Sequence, residues 1–303
     1  MIMFTGSTRT GRKVAEAAGR RLIPASLELG GKDPMIVLSD ADLERAANFA
    51  TYYSMQNAGQ TCISIERVYV EEPVYDEFVQ RFTEEVRNLN QGMDGREHGK
   101  DVGAMTFPPQ TKIVEDHVED ARQAGATVLT GGEPLEGDGD WYPPTVLTGV
   151  DHSMKIMRDE SFGPVVGIMK VRDADEAVRM ANDSRYGLAA SVFGSKREAE
   201  AVARRLEVGT ANVNDVLVGF LASDVPMGGW KDSGIGFRHG EYGIKKFVRP
   251  ESIVSSRFIT KREALYFPYT EKRRAQLRKI TDFFAARDWR RRLGRKRSPG
   301  RST

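Results

Sequence analysis

The chain's only cysteine, Cys62, ends a run of small and amide residues, Gln56-Asn57-Ala58-Gly59-Gln60-Thr61. A carboxylate, Glu28, stands 34 positions earlier in the sequence. A thiolate attacks carbonyl carbons, and a nearby carboxylate can act as its general base. A solitary cysteine in an intracellular protein is more often a buried small hydrophobic residue than a nucleophile. The flanking residues favour the nucleophile here, because Gly59 lets other backbone approach closely and its neighbours leave room for a substrate.

Glu28 lies in an apolar, glycine-rich segment, Leu27-Glu28-Leu29-Gly30-Gly31-Lys32. Apolar neighbours partly desolvate a carboxylate, which raises its pKa toward the range where it can accept a proton. The structural alternative is a surface ion pair, which the two flanking leucines make less favourable. We therefore interpret Glu28 as the general base that works with Cys62.

The first 21 residues have the order of a phosphate-binding unit. We predict the end of a buried strand at Met1–Phe4, a loop at Thr5–Gly11 and a helix at Arg12–Arg21. The free N–H groups and the dipole at the start of such a helix favour an anion. Loops with this glycine spacing are common, so the pattern alone indicates phosphate binding only weakly.

Strands and helices alternate over residues 25–213, with short glycine- and proline-containing connections. We predict strands at 25–29, 35–38, 66–70, 127–129, 146–150, 165–171, 189–193 and 210–213. Helices are predicted at 43–56 (capped by Asp40), 74–88, 110–124, 173–182 and 196–206. This alternation is typical of an α/β fold with a mostly parallel sheet.

The composition is that of a globular protein, with 40% hydrophobic and 29% charged residues among 303. No apolar run approaches the roughly 18 residues that a membrane helix needs. Arg9, Arg12 and Lys13 follow the apolar start, which argues against a signal peptide. One cysteine permits no intrachain disulfide, which fits the cytoplasm. The four histidines lack ligand spacing, so we expect no metal site.

The C-terminal residues differ from the α/β body. Ser252–Phe258 is predicted as an isolated strand, which could add to the sheet edge of another copy in an oligomer. A helix is predicted at residues 272–284. Between Arg287 and Thr303, eight of 17 residues are Arg or Lys. A solvated, disordered end is favoured for this tail over nucleic-acid or membrane binding, because aromatic residues are scarce in it.

Several segments resemble motifs of the aldehyde dehydrogenase superfamily, in family order over residues 1–258: Phe4-Thr5-Gly6-Ser7, Leu27 to Lys32, Gly59-Gln60-Thr61-Cys62, Glu160-Ser161-Phe162-Gly163-Pro164, Asn182 to Leu188, Gly209-Thr210 with Asn212-Val213-Asn214, and Pro226 to Gly234. The run 59–71 is most similar to bacterial succinate-semialdehyde dehydrogenases. The resemblance implies an aldehyde dehydrogenase-like α/β fold. Its parts would be a remnant of the Rossmann-like cofactor domain at 1–29, a catalytic domain at 30–250, an oligomerisation strand at 251–259 and an extension with the basic tail at 260–303.

The resemblance also implies roles for individual residues. Cys62 would attack an aldehyde, with succinate semialdehyde as the candidate, and the thiohemiacetal would pass hydride to NAD or NADP. Glu28 would then activate water to hydrolyse the thioester. Six residues would lie at the cofactor, with Glu160 at the nicotinamide ribose and Phe162 beside the ring: Gly6, Ser7, Gly11, Leu29, Glu160 and Phe162. Without the resemblance, Phe162 would be interpreted as a core residue at a turn.

Family members are longer at the front, so a shortened reading frame is the favoured explanation for this chain. The resemblance implies that most of the dinucleotide-binding domain and one oxyanion-hole asparagine have no counterpart here; losing one such donor costs about 10²–10³ in rate. Three hypotheses follow: an oligomeric NAD(P)-dependent aldehyde dehydrogenase, an incomplete fragment that joins a full-length subunit, and a cofactor-independent thiol esterase. Nucleic-acid and membrane partners are not expected.

A substrate with a carboxylate tail would need a cation at the mouth of the substrate funnel. Arg67 and Arg238 are the candidates that the sequence offers. Asn214 and Phe220 could line the funnel, although a structural role is an equally good interpretation of both.

Overall fold

The structure, a computed structural model, describes residues 1–93, 98–137, 139–257, 261 and 267–285. It divides into two units, Met1–Arg249 and Pro250–Thr303. The basic tail predicted at 287–303 lies outside the described residues. None of the helices in the described ranges has the length and apolar character that a membrane span requires.

The first unit alternates strands and helices. Its strands are β1 (Ile2–Thr5), β2 (Ala25–Glu28), β3 (Asp33–Val37), β4 (Ile65–Glu71), β5 (Thr127–Thr130), β6 (Thr145–Thr148), β7 (Val165–Val171), β8 (Tyr186–Gly187), β9 (Ala189–Phe193), β10 (Thr210–Val213), β11 (Trp230–Lys231) and β12 (Gly234–Ile235). Its helices are α1 (Thr8–Gly19), α2 (Leu43–Met55), α3 (Tyr75–Arg87), α4 (Pro108–Gln123), α5 (Lys155–Arg158), α6 (Ala174–Asn182), α7 (Lys196–Ala203), α8 (Val218–Leu221) and α9 (Gly240–Lys245), with 3-10 turns at Gln56–Gly59 and Glu72–Val74. The second unit contains α10 (Glu271–Ala285), which confirms the helix predicted at 272–284.

Seven strands form the central sheet, in the order β10-β9-β3-β4-β7-β6-β5. Neighbouring strands are parallel, except for β5 and β6, which are antiparallel. Every residue of β3 is buried, as expected for an inner strand of a parallel sheet. The predicted α/β fold with a mostly parallel sheet is therefore confirmed.

A three-stranded sheet, β1-β2-β12, positions the candidate base. β1 runs parallel to β2, with Thr5 opposite Glu28, and β12 runs antiparallel to β2, with Gly234 opposite Glu28. Glu28 is thus the last residue of the middle strand. The turn that follows it leads into β3 and so connects this sheet to the central one.

The first helix begins earlier than predicted. α1 starts at Thr8, whereas the sequence analysis placed a loop through Gly11. The Ser7 side chain accepts a hydrogen bond from the N–H of Thr10 and so caps the helix. The loop between β1 and α1 is consequently only a few residues long.

Two other predictions are corrected. The cap of α2 is Asp42, not Asp40; Asp40 instead accepts a hydrogen bond from the N–H of Ser195 at 3.1 Å. Residues 252–257 form no strand in the single chain, because a strand needs a partner for its backbone groups. Phe258 lies outside the described residues, and pairing of this segment with another copy stays a prediction.

Candidate active site

Glu28 is buried at the end of β2, with 7% of its surface exposed. Its Oε1 atom lies 3.3 Å from Arg238 Nε, close enough for an ion pair. The geometry is not that of a hydrogen bond, and Oε1 has no hydrogen-bond partner. Burial raises the pKa of Glu28, and the charge of Arg238 opposes part of that rise. The predicted desolvation of the Glu28 carboxylate is confirmed. Glu28 is also ion-paired, although in a buried position and not at the surface as the alternative interpretation proposed.

A turn with left-handed backbone leads to the thiol. Asn57 and Ala58 have φ of 52° and 53°, and Gly59 follows with φ of 68°. Such conformations cost a non-glycine residue on the order of 1–3 kcal/mol and persist only where the surroundings enforce them. A Cβ atom at Gly59 would lie 2.1 Å from the carbonyl oxygen of Gly163. Gly59 is therefore required for close packing against the loop that contains Glu160.

The Cys62 thiol is partly buried and forms no disulfide. Burial raises the pKa of Cys62 to about 11, and the negative charges of Asp33, Glu28 and Glu160 add to the rise. A hydrogen bond from the backbone N–H of Cys62 itself acts in the opposite direction. The fold thus brings Cys62, Glu28 and Glu160 close enough for their charges to interact.

The turn after Glu28 lies directly against the cysteine loop. A Cβ atom at Gly31 would lie 2.4 Å from the carbonyl oxygen of Cys62. The absence of a side chain at Gly31 therefore allows the two segments to pack backbone against backbone. Asp33, just beyond, accepts a hydrogen bond from the N–H of Ala189 at 3.1 Å. Burial raises the pKa of Asp33 well above its ordinary value.

Glu160 packs against the same glycine turn. Its Oε1 atom accepts a hydrogen bond from the N–H of Gly31 at 3.0 Å, and a Cβ atom at Gly30 would lie 2.2 Å from Oε2. Burial, followed by the charge of Glu66, raises the pKa of Glu160 to about 7. An ionised carboxylate in this position can accept hydrogen bonds from the hydroxyl groups of a ligand.

A buried ion pair that the sequence analysis missed supports the Glu160 loop. Lys32 Nζ lies 2.5 Å from Glu66 Oε2, and their side chains are 0% and 3% exposed. Glu66 also accepts hydrogen bonds from the backbone N–H groups of Ser161 at 2.8 Å and Phe162 at 2.9 Å. Lys32 donates a further bond to Ser161 Oγ at 3.1 Å. The pair fixes the backbone immediately after Glu160.

The Phe162 backbone is part of this support. Its φ of 47° is left-handed, and its N–H bond to Glu66 holds it there. His117 Nδ1 lies 3.1 Å from Ser161 Oγ on the other side of the loop. Burial, followed by the charge of Lys32, lowers the pKa of His117 to about 4. Contact of the Phe162 ring with a nicotinamide stays a prediction.

The two glycines of the predicted phosphate-binding loop have backbone partners within the fold. Gly6 donates its N–H to the carbonyl oxygen of Glu28 at 3.1 Å, and Gly11 donates to that of Ser7 at 2.9 Å. These N–H groups are already bonded, so neither is free for a phosphate. A Cβ atom at Gly11 would lie 2.4 Å from the Leu29 side chain; these two residues pack α1 against the turn. All four residues, Gly6, Ser7, Gly11 and Leu29, stay predicted cofactor residues.

Of the two candidate cations, Arg67 is the wrong one. It is 1% exposed, and its guanidinium donates hydrogen bonds at 2.9, 3.3 and 3.2 Å to the carbonyl oxygens of Lys32, Met180 and Ala181. Arg67 therefore satisfies buried backbone groups and cannot face a substrate. Arg238 lies beside Glu28, with 38% of its side chain exposed.

Asn214 has the structural role that the sequence analysis left open. Its side-chain amide donates to the carbonyl oxygen of Gly194 at 2.8 Å and accepts from its N–H at 3.0 Å. Phe220 is 44% exposed, and its place in a substrate funnel stays a prediction. Among the residues that the structure describes, no group of three or more His, Cys, Asp or Glu residues is arranged to hold a metal ion.

The sequence was compared with protein-family models and with curated proteins. Residues 1–253 match the model of the aldehyde dehydrogenase family. The chain is 49% identical over 261 residues to a Mycolicibacterium smegmatis protein named "Putative succinate-semialdehyde dehydrogenase [NADP(+)]", covering 85% of this chain and 50% of that protein. The chain thus spans about half the length of the curated relatives that it matches.

Two solved structures are similar in both fold and sequence. An NAD-dependent aldehyde dehydrogenase from Sinorhizobium meliloti has a TM-score of 0.77 and 38% identity, with 81% of this chain and 49% of that chain covered. A betaine aldehyde dehydrogenase from Staphylococcus aureus, in complex with NAD+, has a TM-score of 0.77 and 34% identity, with 81% and 51% covered.

Proposed function

Because the chain belongs to the aldehyde dehydrogenase family, we propose that it catalyses the oxidation of an aldehyde to a carboxylic acid, with the aldehyde carbon bonded covalently to Cys62 during the reaction. The observation that carries the proposal is the packing around Gly30 and Gly31. That turn follows Glu28, contacts the backbone of Cys62 and binds the carboxylate of Glu160. The Cys62 thiol and the carboxylates of Glu28 and Glu160, to which we assign the roles of nucleophile, base and ligand-binding group, are thus carried by segments that adjoin one turn.

The thiol needs a proton acceptor before it can react. With a pKa of about 11, roughly one thiol in 10⁴ is ionised at neutral pH. We propose that Glu28 takes the thiol proton as sulfur bonds to the aldehyde carbon, and that the backbone N–H of Cys62 donates to the resulting oxyanion. Glu28 then releases the thiol proton to solvent, and after hydride has left the carbon it takes a proton from water, whose oxygen attacks the thioester. The carbon–sulfur bond breaks, the acid leaves, and the proton returns from Glu28 to the Cys62 sulfur.

The residues present fit the nicotinamide end of NAD or NADP, the two cofactors that the relatives' names mention. Glu160 offers a buried carboxylate for ribose hydroxyl groups, beside a turn without side chains. Ser7, at the start of α1, would lie near the pyrophosphate. When bound, the nicotinamide would accept the hydride.

We propose succinate semialdehyde as the substrate to test, on the strength of the relative's name. Purified chain would be mixed with this aldehyde and either coenzyme, and the absorbance of reduced coenzyme followed. The proposal expects reduction that Cys62→Ala abolishes, with Lys112→Ala, at an exposed position on α4, as a control variant that leaves it unchanged. Folded protein that gives no signal with either coenzyme would contradict aldehyde oxidation by this chain.

A second candidate function is the hydrolysis of activated esters by the Cys62 thiol, without a coenzyme. It is favoured because the residues at Cys62 and Glu28 belong to one compact unit. Hydrolysis of p-nitrophenyl acetate that Cys62→Ala abolishes, without any coenzyme reduction, would single it out. A chain that does neither but co-purifies with a full-length relative would support the incomplete-fragment hypothesis.

We also propose a homo-oligomer and a cytoplasmic location. Ile253 and Val254, in the predicted oligomerisation strand, are 87% and 90% exposed, which suits a segment that another chain covers. A single cysteine, without an intrachain disulfide, suits a reducing compartment. Light scattering of wild-type chain and of an Ile253→Asp variant would test the oligomer, which the variant is expected to dissociate.

A further inference from the structure

The Arg238 guanidinium lies between the ends of two neighbouring strands. Its Nε atom is 3.3 Å from Glu28 Oε1, and its Nη2 atom donates a hydrogen bond to Thr5 Oγ1 at 2.7 Å. Thr5 and Glu28 are opposite each other on β1 and β2. The Arg238 backbone is itself fixed, because its N–H donates to the carbonyl oxygen of Met227 at 2.7 Å.

We propose that Arg238 is a positioning residue, which holds the Glu28 carboxylate ionised at the end of β2. The inference rests on the proposed role of Glu28 as the base. Anchoring to Thr5 keeps the cation beside Glu28. The guanidinium therefore stays within 3.3 Å of Oε1, where its charge favours the ionised carboxylate.

The other charged groups near Glu28 support this assignment. Lys246 and His239 also favour its ionised form, after Arg238 in strength. Lys246 Nζ is engaged elsewhere, donating to the carbonyl oxygen of Phe237 at 2.7 Å and to Ser26 Oγ at 3.2 Å. The Cys62 thiol is the acidic neighbour whose ionisation the Glu28 charge opposes. Arg238 is thus the cation placed to control whether Glu28 is ionised.

The test is a titration of Glu28 in the intact chain, without aldehyde or coenzyme. Glutamate would be labelled with ¹³C at its carboxyl carbon, and the Glu28 signal identified by its loss in Glu28→Gln. We expect Arg238→Gln to raise the titration midpoint of Glu28 by about one pH unit, the lower end of what a neighbouring cation produces. Arg238→Lys should restore most of the difference, and Lys246→Gln should shift the midpoint less.

A further variant guards against misfolding. Thr5→Val removes the second anchor of Arg238, and we expect a smaller upward shift of the Glu28 midpoint with unchanged far-UV circular dichroism. If Glu28 titrates at the same pH in wild type, Arg238→Gln and Thr5→Val, the inference is overturned. A downward shift would overturn it equally.

Arg238 could instead bind the carboxylate of the substrate. In that case Arg238→Gln would leave kcat unchanged and raise the KM for succinate semialdehyde much more than for an uncharged aldehyde. That outcome would overturn the positioning role. The titration requires no turnover. A chain that fails to oxidise aldehydes would therefore contradict the proposed function, whereas the role of Arg238 would still be decided by the titration.

Discussion

The molecule contains two carboxylate–cation pairs near the glycine turn, and they differ in every respect that matters for reactivity. The Lys32–Glu66 pair is fully buried, and Glu66 accepts bonds from Lys32 and from two backbone N–H groups. In the Glu28–Arg238 pair only the arginine is partly exposed, at 38% against 9% for Glu28, and Glu28 Oε1 has no hydrogen-bond partner. Complete satisfaction fixes a loop in place, whereas an unsatisfied carboxylate can still accept a proton.

The sequence spacing of these groups explains their division of roles. Lys32 follows Glu28 by four positions, and Glu66 follows Cys62 by four. The two segments lie side by side where Gly31 faces the carbonyl oxygen of Cys62, so in both segments the residue of the supporting pair follows this contact. The first prediction removes the support.

Lys32→Met should have the largest effect. It leaves the Glu66 charge buried without its cation, which typically costs about 3–5 kcal/mol. Urea unfolding of the variant would measure the loss, beside Lys112→Met, an exposed lysine on α4. A loss below about 1 kcal/mol would mean that the pair does not support the fold.

His117 should make the same region sensitive to acid. Its pKa is lowered to about 4 in the folded chain, so between pH 6.5 and 4 the unfolded chain binds a proton that the folded chain does not. Its contribution to the free energy of unfolding should therefore fall as pH falls through this window, by about 3 kcal/mol. His117→Gln should flatten that part of the stability–pH curve; an unchanged slope would contradict the burial argument.

The Cys62 thiol should react slowly with alkylating reagents in the absence of substrate. With a pKa of about 11, Cys62 should be alkylated by iodoacetamide at a rate that keeps rising about tenfold per pH unit from pH 8 toward 11. A small-molecule thiol of ordinary pKa, measured in parallel, should level off earlier. A plateau for Cys62 near pH 8 or below would show that the surrounding charges do not hold the thiol protonated.

Gly31→Ala should have the smallest effect on stability. It tests the contact between the turn after Glu28 and the loop that contains Cys62. The added Cβ atom would lie 2.4 Å from the carbonyl oxygen of Cys62, and relieving such overpacking typically costs about 1–3 kcal/mol. Gly103→Ala is the matched control, because nothing lies within 4 Å of the Cβ position there. Both variants would be compared by thermal unfolding and by Cys62 alkylation. Equal behaviour would contradict the close backbone contact.

Much of the fold could be predicted from the sequence, because regular elements follow local patterns. β7, β9 and β10 have the predicted bounds, since short apolar runs between turn residues suffice to define them. The start of α1 was misplaced because capping by Ser7 outweighed the apolar spacing. The cap of α2 was misplaced because Asp40 and Asp42 are both suitable types, and only the fold assigns one of them to Ser195.

The sequence offers Cys62 and Glu28 as candidate reactive residues, but it does not reveal the residues that support them. Cys62 and Glu28 stand in segments of unusual composition, whereas Glu66 and Arg67 look like ordinary charged residues of a strand. Both are buried, and a buried charge requires a partner that only the tertiary structure supplies. One sequence signal could have indicated these partners. Two charged residues precede the apolar run of β4, although a buried parallel strand is usually apolar throughout.

The most direct test of the central claim is to trap the covalent intermediate on this chain with p-nitrophenyl acetate, followed by intact-protein mass spectrometry. With Cys62 as nucleophile and Glu28 as the base of both steps, the wild type should acquire an acetyl group on Cys62 and turn it over, Glu28→Gln should acquire the group more slowly and retain it longer, and Cys62→Ala should remain unmodified. An equal acetyl adduct on Cys62→Ala, or equal rates of acetylation and deacetylation in Glu28→Gln and the wild type, would contradict the account.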